Sequence, residues 1–224
     1  MTRVTTGCVV LVLTTAIPVL AQRFDNLVRS DFFAGYRGDH DRLARGMETC
    51  EKALAANPRD AAALVWHGGG LFYLSGDKFR AGDWRAGLDM QKRGLKEMDD
   101  AVALAPNDLQ TLIPRGATLL AGAPYIPDGA SAQPLLQKAV GDYEKVVELQ
   151  GPHFAELSAH SRGELLGGLA TGYRLLGNRQ KSVEYLKRIV AELPGTPYET
   201  KASAWLTDPG SLKKSDRFCI GCHQ

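Results

Sequence analysis

"ALAANPRDAAAL", residues 53–64, is where the fold is first legible. Alanine and leucine at helical spacing run up to Asn57-Pro58, and a second alanine-rich run opens after Asp60. Proline has no amide hydrogen and clashes with the preceding turn, so it stops one helix, while its fixed φ suits the first turn of the next. The stretch reads as a junction between two helices. "ALAPNDLQTL" (103–112) repeats it, and "ELQGPHFAEL" (148–157) and "ELPGTPYETKA" (192–202) are looser copies. Pro58, Pro106, Pro152 and Pro194 stand 48, 46 and 42 residues apart by position.

Between these junctions the apolar residues keep a helical period. Leu43, Met47, Cys50 and Leu54 make one stripe, and Trp84, Leu88, Leu95, Met98 and Val102 a second. Leu135, Ala139, Val140, Tyr143 and Val147 make a third, and Val183, Leu186, Ile189, Val190 and Leu193 a fourth. Period-two alternation bounded by hairpin signals is not found. Each interval holds two helices joined near a glycine, at Gly76, Gly122 and Gly177. A period of this size predicts an all-α chain of stacked antiparallel helical hairpins. Residues 197–207 read as a terminal capping helix, with Tyr198, Ala202 and Trp205 or Leu206 pointing inward. "DPGSLKKSDR", 208–217, reads as an exposed linker with few apolar groups to bury.

The stretch "GELLGGLATGYRLLGNRQKSVEYLKRIVAELPGTPYETKASAWL", 163–206, resembles the tetratricopeptide repeat family in its Tyr173, its Leu176-Gly177-Asn178 turn and its terminal Pro194. "ETCEKALAANPRDAAALVWHGGGLFYLSGD", 48–77, shares the Ala-Leu-x-x-x-Pro junction, and the likeness extends over about residues 24–206. The family's period is near ~34 residues. The extra length here falls in a long helix around 80–105 and in "AGAPYIPDGASAQP", 121–134. The resemblance implies a right-handed superhelix whose concave groove takes a protein or peptide partner, with no catalysis of its own.

The first residues bear on the compartment. Met1–Arg3 give a basic start, residues 7–20 are apolar and uncharged, and Val19 and Ala21 suit cleavage before Gln22. This is the layout of a secretory signal peptide over 1–21. The run is shorter than the ~20 apolar residues of a spanning helix, and Pro18 interrupts it. Cys8 lies inside the run, away from the cleavage point. No second run of spanning length follows, so an exported, periplasmic or otherwise extracytoplasmic chain without a membrane span is expected. A net charge of +2 without a basic block gives no reason to expect nucleic acid as a partner. Only Cys50, Cys219 and Cys222 follow Gln22, too few to staple a chain of this length, so the helical body over 22–207 must rest on packing.

The last residues, 208–224, carry the chemistry. "RFCIGCHQ" (217–224) contains Cys219, Cys222 and His223 in the order Cys-x-x-Cys-His, the attachment signature of c-type haem. Two thiols at that spacing can each form a thioether to one porphyrin edge, and the adjacent histidine then serves as an axial ligand of the iron. With 4 Cys and 5 His in 224 residues, chance would produce the pattern on the order of one time in a thousand. A thioredoxin-like pair is a poor fit without a βαβ unit, and zinc wants four ligands where the tail offers three. A disulfide between Cys219 and Cys222 stays open in an oxidising compartment. One covalently attached haem c is the leading expectation.

In the single-haem cytochrome c domains that the motif resembles, the attachment site is followed much later by a methionine ligand. Here only Gln224 follows. A second iron ligand must come from elsewhere, and His153, His160 and His67 are the candidates. His67, in "LVWHGGGLFY", also reads as a histidine packed between helices, and His153 and His160 as solvated side chains. Met47 and Met98 fit apolar stripes, Met90 falls off its stripe, and Cys50 reads as a buried free thiol. Asp39-His40-Asp41 and Asp99-Asp100 fit helix ends and polar faces. No nucleophile with a paired base, phosphate loop or His/Glu metal spacing is found, so no catalytic residue is assigned and an enzyme is not expected. Three roles follow: a helical-repeat interaction protein passing single electrons to a docked redox partner, a pure scaffold whose cysteines form a disulfide, or a haem-based ligand sensor.

Overall fold

The computed structural model describes residues 23–126, 128–213, 216 and 218. Residues 1–21, read as a signal peptide, and the terminal Cys219, Cys222 and His223 lie outside the described residues. Among the described residues every regular element is helical: α1 (Phe24–Gly35), α2 (His40–Ala56), α3 (Ala61–Arg80), α4 (Trp84–Leu104), α5 (Leu109–Gly122), α6 (Gly129–Gln150), α7 (Ala159–Leu175), α8 (Arg179–Glu192) and α9 (Pro197–Thr207). Short 3-10 turns occupy Ala123–Tyr125, Gly151–Glu156 and Pro209–Ser211. None of these helices is long and apolar enough to cross a membrane. The junctions at Pro58, Pro106, Pro152 and Pro194 and the capping helix stand where the sequence puts them.

Side-chain caps punctuate the array. Asp39, Asp60, Asp83, Asp108, Asp128, Ser158, Asn178 and Thr196 each accept from a backbone N–H in the first turn of α2 to α9 in order. A short oxygen-bearing side chain satisfies an amide that the helix leaves unpaired, and a carboxylate also favours the positive end of the helix dipole. The α3–α4 turn is Ala81-Gly82-Asp83, not Gly76, which lies inside α3. Gly76-Asp77 and Gly82-Asp83 have the same spelling. Gly82 has a φ of 79°, the left-handed region that a glycine tolerates without a Cβ penalty. Gly177, with a φ of 78°, makes the equivalent α7–α8 turn before Asn178.

Consecutive helices pair into hairpins α1/α2, α3/α4, α5/α6 and α7/α8, with α9 closing the end. The odd-numbered helices also touch in succession, α1 to α3, α3 to α5, α5 to α7 and α7 to α9. No two even-numbered helices make a comparable contact. One layer is thus a continuous run of odd helices, and each even helix bridges two of them.

The tightest crossing joins α3 and α4. A Cβ on Gly68 would lie 2.6 Å from the Gly94 carbonyl oxygen, and one on Gly94 would lie 2.5 Å from that of Gly68. This is the close helix packing expected for Gly68–Gly70. Trp84 and Leu88, read as part of the α4 stripe, are instead 62% and 45% exposed. The buried face of α4 runs through Gly87, Gly94, Met98 and Ala101, with Phe79 against Gly87. Leu95, Met98 and Val102 of the stripe do face the core, and the misplacement is confined to the first turns, where glycine adds no hydrophobic signal. Further along, Arg115 on α5 forks onto Asp142 of α6 at 2.8 and 2.6 Å and reaches Asp99 of α4 at 3.0 Å.

Candidate functional site

Along α7, Gly163, Gly167 and Thr171 recur every four residues and so share one face. Two aromatic rings lie on it. A Cβ on Gly163 would meet Tyr198 of α9 at 2.4 Å, and one on Gly167 would meet the ring of Phe218 at 2.2 Å. Phe218 is only 2% exposed. Its ring is stacked with Tyr198, centroids 6.3 Å apart and 15° between planes, and meets the edge of Trp205 at 5.2 Å. Lys201 places its ammonium 5.6 Å from the Phe218 ring centroid. Phe218 thus sits in a crevice between two consecutive odd helices.

Backbone contacts hold the approach to this seat. The Phe218 N–H donates to Thr171 Oγ1 at 3.2 Å. Arg174, one turn further along α7, donates to the carbonyl oxygens of Lys213 at 3.0 Å and Asp216 at 2.5 Å. The same guanidinium lies over the Trp205 ring at 5.2 Å, and burial pulls its pKa down from the usual arginine range. Within 208–217, residues 208–210 and Lys213 are exposed while Leu212 and Asp216 are half-buried, Arg174 holds the segment at two carbonyls, and the ring of Phe218 beyond it enters the core. A lone aromatic in a polar stretch has no period to reveal it. Its counterpart on α7, the small-residue spacing Gly163-x-x-x-Gly167-x-x-x-Thr171, was the available signal.

Tyr198 also ties α9 to the start of α7. Its hydroxyl donates to Glu164 Oε1 at 2.8 Å and lies 2.8 Å from His160 Nδ1. A hydroxyl has one proton to give. With that proton on the carboxylate, the His160 contact runs the other way, Nδ1–H donating to the tyrosine oxygen. In the neutral imidazole the lone pair then belongs to Nε2. Glu164, Tyr198 and His160 form a short relay beside the Phe218 seat, with the His160 and Tyr198 ring centroids 6.3 Å apart.

The three histidines read as candidate iron ligands fall in different surroundings. His160 stands at the first turn of α7 and belongs to the cluster just described. His153 lies in the 151–156 turn, 71% exposed, with Nδ1 3.1 Å from Glu156 Oε2. Its neighbour Phe154 packs under Arg188 of α8, away from the seat. His67 is 1% exposed inside α3, with Nδ1 2.5 Å from Glu97 Oε2 and Nε2 3.7 Å from Glu51 Oε1. It is the histidine packed between helices. Burial pushes the Glu97 carboxyl up, but the bonds and charges of His67 and Arg93 outweigh this and hold it below its ordinary value. Met47 and Met98 are buried in the core. Cys50 is a buried free thiol, pushed up to about 12 mainly by desolvation, and so inert as a nucleophile.

Among the described residues no group of three or more His, Cys, Asp or Glu side chains could hold a metal ion by itself. Cys219, Cys222 and His223 remain outside the described residues, but Cys219 is bonded to Phe218, so its Cα is ~3.8 Å from that of the buried ring's residue. The rings of Tyr198 and Trp205 and the ammonium of Lys201 enclose the Phe218 ring itself. Compared with protein-family models and with curated proteins, the chain returns no match to either.

Proposed function

We propose that this chain is an exported, tetratricopeptide-like helical-repeat protein that carries one covalent haem c at its C-terminus and exchanges single electrons with a docked redox protein. The observation that carries the reading is the pairing of Cys219-x-x-Cys222-His223 with a buried residue immediately before it. In this reading Cys219 and Cys222 would hold the group by thioethers and His223 would ligate its iron. Bound haem supplies a one-electron couple at its iron. The chain's own residues do the positioning. Phe218, gripped by Gly167, Tyr198 and Trp205, fixes where the motif begins, and Arg174 holds the approaching backbone.

The odd-helix layer is the surface for the partner. Support for this comes from the chain itself, because Lys213, Asp216 and Phe218 are already held on α7 by hydrogen bonds to their backbone, and the Phe218 ring is seated between α7 and α9. Aromatic anchors seated in pockets are the usual energetic centre of such contacts. Export is part of the same reading and rests on the signal-peptide layout of residues 1–21.

The test is direct. The full chain, made in cells that mature c-type cytochromes, should lose residues 1–21 and gain the mass of one haem. A Soret band should stay with the polypeptide after denaturation. A protein of apo mass, with Cys219 and Cys222 joined to each other, would overturn the haem reading in favour of a scaffold.

A further inference from the structure

We propose that the crevice between α7 and α9 is the partner's docking site, that it takes an acidic segment with one aromatic anchor, and that Phe218 blocks it in cis. The inference rests on the odd-helix layer as the partner's surface and does not need the haem. The way the crevice holds its present occupant is the first observation. Tyr198, Lys201 and Trp205 stand at i, i+3 and i+7 on α9, one face of that helix, and all three touch the Phe218 ring. Gly167 of α7 lies beneath it, and the three atoms nearest to a Cβ placed there all belong to Phe218. The remaining bonds go to main-chain atoms: Arg174 donates to the carbonyls of Lys213 and Asp216, and Thr171 accepts the Phe218 N–H. Lys213 and Asp216 close a turn on each other. The Asp216 N–H donates to the Lys213 carbonyl at 3.0 Å, and the Lys213 N–H donates to Asp216 Oδ2 at 2.7 Å. A local turn followed by a ring is a shape that another chain can bring.

The second observation is that this occupant fits imperfectly. Arg174 uses Nη1 and Nη2 on the two carbonyls, but its Nε is buried without an acceptor among the described residues. A buried donor left unpaired costs its full desolvation. Burial disfavours the charge on this guanidinium, and Asp216 is the acid that offsets it, with one carboxylate oxygen already taken by the Lys213 N–H. By sequence, residues 212–218 carry Lys213, Lys214 and Arg217 against Asp216 alone, so a net positive segment is docked on a partly buried cation. An acidic segment of the same shape would supply the missing acceptor and the missing charge. Charge complementarity of that kind selects one partner over another.

Third, occupation is exclusive. Phe218 is 2% exposed, so its seat has no room for a second ring while it is docked. A tethered segment competes at an effective concentration of about 1 mM for a short flexible link. A partner's apparent affinity is reduced by the fraction of time that the crevice stands open. The chain's end therefore works as a threshold: weak binders are kept off, and a partner that takes the seat frees the segment ending at Phe218.

The experiment uses the full chain and its Phe218→Ala and Gly167→Leu variants, with helix content recorded for each. The probes are labelled, end-blocked peptides read by fluorescence anisotropy. One has the sequence of residues 212–218; an acidic one carries Lys213→Glu, Lys214→Glu and Arg217→Glu; a third is the acidic probe with Phe218→Ala. The acidic probe should bind Phe218→Ala at least ~10-fold more tightly than it binds the parent, whose crevice is mostly closed. At ~0.01 M salt it should also bind more tightly than the first probe, with the gap narrowing at ~1 M. The probe without the ring should not bind, and Gly167→Leu, whose side chain fills the seat, should bind none. A measurement on the parent alone covers the case of a poorly folded variant. The acidic probe has no lysine or arginine for trypsin, so in excess it should accelerate cleavage of the parent after Lys213. Equal affinity for parent and Phe218→Ala, or unchanged cleavage of the parent at saturation, would overturn the block in cis. No saturable binding to a helical Phe218→Ala would overturn the site itself. Binding indifferent to Gly167→Leu would overturn the crevice and leave the odd-helix surface standing. Equal affinities of the two ring-bearing probes at low salt would overturn the acidic partner. A parent without haem would overturn the haem reading and leave this one intact.

Discussion

On α3, Gly68 lies against Gly94 so closely that each bare Cα faces the other helix's carbonyl oxygen; on α7, Gly167 lies beneath the ring of Phe218, a residue beyond the last helix. Both glycines clear a space at the centre of an odd helix. The first is filled by a neighbouring helix joined through a short turn, and the second by the chain's end. A hairpin crossing shared by two long helices cannot open without unfolding both. A terminal segment can leave its seat while the body stays folded, because local openings cost less than global ones. One device thus serves rigidity in one place and attachment in the other.

Trp205→Ala is where the two kinds of filling should fail together, and it should have the largest effect. Trp205 is 6% exposed, and it packs α9 onto the stack while forming a wall of the Phe218 seat. Truncating a buried tryptophan costs ~3–5 kcal/mol. Denaturant unfolding should show a loss in that range, with the C-terminal segment digested early. A loss below ~1 kcal/mol would mean that α9 is not the closing element of the core.

The glycines themselves sharpen the contrast. Gly94→Ala pushes a methyl into the backbone of α3, where neither helix has a rotamer to change, so a cost near the upper end of ~1–3 kcal/mol is expected. Gly167→Ala pushes its methyl into a side chain that can leave. Its global midpoint should move less than that of Gly94→Ala, while protease access to Lys213 increases. Equal losses for the two would show that the seat and the crossing are equally integral, and the distinction would collapse.

Acid should act on the α3–α4 crossing through Glu97. Glu97 faces His67 from α4, with Arg93 on its own helix and Glu51 on α2 nearby. Its pKa is lowered in the folded chain. A depressed carboxyl contributes stability that is fully present above its unfolded value of ~4.3 and lost as pH falls through the folded value. Glu97→Gln should therefore be less stable than the parent at neutral pH, and the gap should close below pH ~4. A constant gap from pH 7 to 3 would show that charge on Glu97 contributes nothing.

The helices and their junctions were legible because proline, capping side chains and apolar period act within a few residues of each other. Pro58 and Asp60 mark one junction without help from the rest of the chain. The face of α4 was misread through Trp84 and Leu88 because Gly87 and Gly94 bury by lacking a side chain, which no hydropathy pattern records. The turn at Gly82 lost to Gly76 because the two carry the same dipeptide, and only Phe79 packing onto Gly87 extends α3 past the first. At the candidate site, the terminal motif and His160 were visible as residue types. The seat was not, because Phe218 and Gly167 are 51 positions apart and neither belongs to a shared period.

Phe218→Ala should give the smallest global change, and the reason can be worked out. Burying the ring contributes ~1.5–3 kcal/mol. Ordering the segment that delivers it costs ~1–2 kcal/mol for each residue fixed. The bonds from Thr171 and Arg174 to its backbone, and the cation beside the ring, offset that cost. Docking is therefore close to balanced. Whatever its value, it caps the loss, because a chain with an undocked tail still keeps α1 to α9. The expected shift in the unfolding midpoint corresponds to about 1 kcal/mol or less, well below the ~3–5 kcal/mol of a phenylalanine removed from a closed core. The local effect is the opposite. Tryptic cleavage at Lys213 should accelerate in Phe218→Ala under native conditions, since the ring adds to the hold that Arg174 and Thr171 keep on that segment. A global loss as large as that of Trp205→Ala would make Phe218 a member of the core on equal terms, and the chain's end could no longer be treated as a docked segment.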